Sequence, residues 1–112
     1  MEKQELYARV LKAWGLDTQL GKLLEEMAEL ELALLRYPQG RADLDDIAEE
    51  FADTLIMCEQ IVLALGLDAD VRGWADCKLV RLEQRLNAYE YSESLRETPD
   101  GTETGAREES ES

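Results

Sequence analysis

The chain contains no histidine. That absence removes zinc sites built on imidazole, His-Asp phosphohydrolase chemistry, and any nucleophile that depends on a Ser-His or Cys-His pair. Cysteine is nearly absent too. Cys58 and Cys77 fall in different expected helices without CxxC spacing, so they read as buried free thiols of a reducing compartment. No apolar run is long enough to span a bilayer. Met1 to Glu5 leads directly into an amphipathic helix rather than a signal peptide. The expected location is the cytoplasm, with no membrane partner.

Positive charge is also short. Lys and Arg number 12 against 26 Asp and Glu, a formal net charge of -14. Such acidity disfavours binding to nucleic acid or anionic membranes. It leaves a phosphorylated substrate open, because a bound divalent ion inverts the local sign. At 112 residues the chain is one domain at most, small enough that homo-oligomerisation would help it bury surface.

No alternating apolar pattern of strand length occurs, and the domain reads as all-α. A first helix runs from about Lys3 to Trp14 and stops at Gly15. Asp17 or Thr18 can cap a second, which continues to about Tyr37 before Pro38-Gln39-Gly40. Asp43 can cap a third, with Asp45 and Asp46 in its first turn, and Gly66 ends it. Asp68 can cap a fourth, which reaches between Asn87 and Tyr91. Residues 1–91 thus form the expected domain. The stretch 92–112, rich in Ser, Glu, Thr and Gly, reads as a disordered acidic tail.

Two carboxylate pairs stand out against this background. Glu26 and Glu29, then Glu50 and Asp53, are each three residues apart and share one side of a helix. On the second helix, Gln19, Lys22, Glu26, Glu29 and Ala33 form a stripe, flanked by Leu23, Met27, Leu30 and Leu34 as the core-facing edge. Glu25 and Arg36 fall toward solvent. On the third, Glu50 and Asp53 align with Met57, Gln60 and Ile61, beside Ile47, Thr54 and Cys58. One such pair is commonly a solvated stripe; two at apolar edges in one small domain point to a cation. A hard, oxygen-seeking ion such as Mg2+ is the simplest neutraliser, and carboxylates on facing helices are a known way to hold one. The nearly all-round apolar stretch from Thr54 to Leu65 suggests a subunit interface.

The fourth helix carries Trp74, Lys78, Arg81 and Arg85 on one stripe. Aligned cations in so acidic a chain are placed to hold phosphate oxygens.

Glu26-x-x-Glu29, a gap of twenty residues, then Glu50-x-x-Asp53 resembles the ExxE…ExxD signature of MazG-like all-α nucleoside triphosphate pyrophosphohydrolases. The strings GKLLEEMAELELALLR, IAEEFADTLIMCEQIV and KLVRLEQRL look like short single-domain members often encoded by phages and prophages. The similarity covers roughly Leu11 to Leu86. The resemblance implies a four-helix bundle assembling as a dimer or dimer of dimers. Its activity would be hydrolysis of nucleoside triphosphates, with deoxynucleotides the expected substrates, between the α- and β-phosphates. It implies Mg2+, with Mn2+ able to replace it, held by Glu26, Glu29, Glu50 and Asp53 as metal ligands and catalytic acids. One of these or the neighbouring Glu49 would orient the water, a choice that stays open. Lys78, Arg81 and Arg85 match the family's basic pattern and would hold phosphates, with Gln19 and Lys22 as further substrate contacts. Leu82 departs from it, standing where many members carry Asn, which bears on nucleotide specificity. Two rivals share the architecture: a non-catalytic helical module that oligomerises and binds nucleotides as a regulator, and phosphoribosyl-ATP pyrophosphohydrolase.

Overall fold

A computed structural model describes residues 2–97. Among them the chain is all helical: α1 (Lys3–Trp14), α2 (Leu16–Arg36), a 3₁₀ turn (Tyr37–Gln39), α3 (Leu44–Ala64) and α4 (Asp68–Arg96), with no strand. The chain divides into two compact units, one up to Val71 and one from Arg72.

Glycine sets the joints of the first unit. Gly15 ends α1 by donating its N–H to Leu11 (2.8 Å) and begins α2 by accepting from the N–H of Gln19 (3.1 Å). Its φ of 87° is open to glycine and strained for other residues. Because one residue serves both helices, α2 starts at Leu16 and neither Asp17 nor Thr18 caps it. After α2, the N–H of Gly40 bonds to Tyr37 and that of Arg41 to Arg36, both at 3.0 Å, while Gly40 takes φ 73°. This paired closure is a Schellman motif. Gly66 (φ 68°) repeats it after α3, through Gly66 to Leu63 and Leu67 to Val62.

Asp43 caps α3 as expected, and more fully. Its carboxylate accepts from the N–H of Asp46 while the Asp46 carboxylate accepts from the N–H of Asp43, each at 2.8 Å. The pair is a reciprocal capping box with Asp in the place usually held by Glu or Gln.

α2 packs chiefly on α3, and α1 leans on both. The two long helices run antiparallel: Ala33 and Arg36 share a cleft with Ala42 and Asp46 beside the turn, and Glu26 meets Thr54 further along. α1 is fastened to α3 by the buried residue Tyr7, whose hydroxyl donates to Glu59 (2.8 Å), and by Lys3, whose Nζ lies 3.2 Å from the same carboxylate.

The core differs from the expected one. Tyr7, Ala33, Ile47, Met57 and Ile61 are buried together with Gln19, Glu26 and Thr54. On α2 the buried line is therefore Gln19–Glu26–Ala33, the acid stripe itself. Met27 (47% exposed) and Leu34 (43%), expected at the core edge, face outward. A periodicity marks the apolar side of a helix but not which part of that side a single neighbour covers. On α3, Leu55 (63%) and Ile56 (46%) are exposed.

α4 forms the second unit from Arg72 and has no buried residue. Asp68 is its first helical residue rather than its cap; the preceding Leu67 accepts from the N–H of Val71 (2.8 Å). The helix continues to Arg96, past the expected end. Ser92–Arg96 is helical, supported by the Ser94 hydroxyl donating to the Tyr91 carbonyl (2.8 Å) and a Glu93–Arg96 pair (3.8 Å). Such local bonds extend a helix where composition alone signals a tail. The remainder of that stretch, from residue 98, lies outside the described residues.

Candidate metal centre

The hairpin of α2 and α3 gathers Glu26, Glu29 and Glu50. A carboxylate oxygen from each lies within 4.8 Å of the others. Glu26 is buried at 7% exposure, Glu50 half-buried and Glu29 exposed, so the group opens from the helix seam toward solvent. The Thr54 hydroxyl, one turn beyond Glu50, donates to the Glu26 backbone carbonyl (3.2 Å) and holds the facing turns in register.

The charges are left partly uncompensated. Lys22 Nζ sits 3.2 Å from Glu26 Oε2 and 3.3 Å from Glu25 Oε1. Its hydrogen bond to Glu26, then that to Glu25, raises the Lys22 ammonium above the usual lysine range. The other oxygen of Glu26, Oε1, is buried and has no hydrogen-bond partner among the described residues; the same holds for Glu50 Oε1. Burial first, then the charges of Glu29, Asp53, Glu26 and Glu49, push the Glu50 carboxyl above the ordinary glutamate range. Buried carboxylate oxygens are rarely left without a donor or a cation, because desolvation then goes uncompensated. Hard anionic oxygens converging from two helices suit a divalent cation such as Mg2+, Mn2+ or Ca2+.

The remaining expected site residues are placed as follows. Asp53 is half-buried one turn after Glu50; it acts on Glu50 by its charge but stands outside the group of three. Gln19 is buried two turns before Glu26 on the same line. Lys22 is the counter-ion of Glu25 and Glu26. Lys78, Arg81 and Arg85 belong to the second unit; all are exposed, and Lys78 Nζ lies over the Trp74 ring at 5.7 Å from its centroid, a cation–π contact.

A cleft of about 310 Å3 adjoins the acids and shares Glu29 and Glu50 with them. Its other charged walls are Arg36, Arg41 and Asp46, over Leu32, Ala33 and Ala42. Sequence reasoning missed both arginines. The wheel put Arg36 on the solvent side of α2, and Arg41 lies in a turn, where helical periodicity gives no signal. The Gly40 turn signal was the available pointer, since the closure there folds Arg41 back onto Arg36.

No protein-family model, curated protein or solved structure matches the chain.

Proposed function

We propose that the chain is a Mg2+-dependent nucleoside triphosphate pyrophosphohydrolase, with deoxynucleotides as substrates, that releases nucleoside monophosphate and pyrophosphate. The observation that carries the reading is the pair of unpartnered buried oxygens, Glu26 Oε1 and Glu50 Oε1, inside a cluster of three converging carboxylates. The ExxE…ExxD spacing and its resemblance to MazG-like enzymes supply the reaction class.

Glu26, Glu29 and Glu50 would hold Mg2+, with Asp53 as the fourth carboxylate. Mg2+ bound there would supply Lewis acidity toward phosphate oxygens and lower the pKa of a coordinated water. The chain's own part is positional and electrostatic. Thr54 fixes the Glu26 turn against α3, and the helix seam keeps Glu26 from bulk water. Lys22 neutralises Glu26 through its other oxygen, Oε2. The resemblance to MazG-like enzymes would add Lys78, Arg81 and Arg85 as cations for phosphate oxygens and make Leu82 bear on base or sugar preference. No side-chain nucleophile is needed for an in-line attack by water, so the missing histidine is no obstacle.

The fold supports assembly of this enzyme as a dimer or dimer of dimers. Leu44, Phe51 and Leu55 form an exposed stripe on α3, and Leu24, Met27, Leu34 and Leu35 another on α2. No side chain is fully buried among the described residues, and exposed apolar side chains aligned on one face are what a subunit interface would cover. Sedimentation equilibrium should give a dimer or tetramer mass.

The deciding experiment incubates the purified chain with Mg2+ and a panel of canonical and modified nucleoside triphosphates, assaying pyrophosphate release. Turnover of at least one is expected. No turnover, together with no Mg2+-dependent nucleotide binding, overturns the reading. Nucleotide binding without turnover would instead favour the regulatory module.

A further inference from the structure

We infer that the cleft of Arg36 and Arg41 is an oxyanion pocket for the terminal diphosphate of the substrate, filled only after the adjoining carboxylates have taken their cation. The inference rests on the metal reading above and extends it to two residues outside the acid motif and outside the basic stripe of α4.

Three observations carry it. First, the cleft and the carboxylate cluster share Glu29 and Glu50, so a ligand in the cleft would adjoin a cation held by those acids. Second, the guanidiniums have donors to spare. Neither is paired with a carboxylate among the described residues, although three line the same cleft. Among the described residues, the one side-chain bond from either is Arg41 Nη1 to Gln39 Oε1, long at 3.4 Å. A guanidinium offers five N–H groups in a planar fork that matches phosphate oxygens. Third, the two arginines are tied together through the main chain. The Arg41 N–H bonds to the Arg36 carbonyl at 3.0 Å, and Gly40 turns the chain at φ 73° to allow it. The turn closing α2 therefore brings the two backbone positions side by side.

The order of binding follows from charge. Glu29, Asp46 and Glu50 against Arg36 and Arg41 leave the lining one charge negative, which repels a diphosphate. A divalent cation on Glu26, Glu29 and Glu50 reverses that sign, with Lys22 already balancing Glu26.

The test uses the full chain with inorganic pyrophosphate as probe. Isothermal titration should detect pyrophosphate binding at saturating Mg2+ and none in EDTA. Arg36→Gln and Arg41→Gln should each weaken it about tenfold or more. Mn2+ binding, read by electron paramagnetic resonance without any anion, should stay within about twofold of wild type in both variants. That measurement doubles as the check that they fold. Pyrophosphate affinity unchanged in both variants overturns the pocket while sparing the metal site. A wild-type chain that binds no Mn2+ overturns the metal reading, and this one with it. Equal pyrophosphate binding with and without Mg2+ overturns the cation-first order, and loss of Mn2+ binding in the variants overturns the separation of the two subsites.

Discussion

The hydroxyl of Thr54 donates to the backbone carbonyl of Glu26 across the α2–α3 seam, at 3.2 Å. Thr54 lies one turn after Glu50, so this bond sets the height at which Glu50 faces Glu26 and Glu29. Helix backbones satisfy their own polar groups, so a bond from one helix to another's carbonyl is a register device more than a source of cohesion.

Thr54→Val keeps the shape of the side chain and removes the donor. It should cost about 1 kcal/mol of stability. Urea denaturation would show a lower midpoint at an unchanged slope. A midpoint equal to wild type would mean the bond contributes nothing.

Glu50→Gln should stabilise the metal-free protein and abolish its response to cations. The Glu50 carboxyl titrates above the glutamate range in the folded chain, mainly through burial and then through Glu29. The folded state thus holds that proton more tightly than the unfolded state, and stability declines as pH rises from the ordinary glutamate value through the raised one. At pH 7 in EDTA the variant should melt a few degrees higher. Mg2+ should raise the melting temperature of wild type alone. A variant that melts lower in EDTA contradicts the electrostatic account.

Tyr7 and Glu59 govern stability at the two pH extremes. The Tyr7 hydroxyl, then Lys3, holds the Glu59 carboxyl below the usual range, a contribution present above that range and lost as pH falls through the lowered value. Burial, then the hydrogen bond to Glu59, raises the Tyr7 phenol. Its contribution is complete below pH about 10 and is lost as pH rises through the raised value. Tyr7→Phe should lower the melting temperature by a few degrees at pH 7 and flatten both limbs. Melting curves from pH 3 to 11 would check this; unchanged limbs would exclude the clamp.

Lys22→Met should tighten cation binding. The Lys22 ammonium occupies Glu26 Oε2, and its removal frees that oxygen for a metal. A several-fold gain in Mn2+ affinity is expected by electron paramagnetic resonance, accompanied by a lower metal-free melting temperature. Weaker Mn2+ binding would make Lys22 a support of the site rather than a competitor.

The sequence carried the helices and the acid set further than the packing. Helical period, Gly15, the Asp43 cap and Gly66 placed α1 and α3 within a residue or two and α2 within about three, because those signals are local. Spacing also singled out Glu26, Glu29 and Glu50, which the hairpin brings together. It could not order the apolar edges. Met27 and Leu34 satisfy the same periodicity as a core residue, and only the third dimension shows that Glu26 and Ala33 take the seam instead. Arg36 and Arg41 escaped for a related reason, since a turn that redirects the chain resets the wheel. Ser92–Arg96 escaped because local pairs outweigh a tail-like composition.

The reciprocal cap at Asp43 and Asp46 has a kinetic consequence. It specifies the start of α3 from residues three apart, and the closure at Gly40 specifies the end of the preceding turn from residues five apart. All three converging carboxylates therefore ride on one contiguous hairpin with near-neighbour instructions at its bend. Chains of that kind close quickly, because little loop entropy is spent before contacts form. The acids should thus be juxtaposed early in folding, and a cation added to the refolding mixture should speed the step that brings α2 and α3 together.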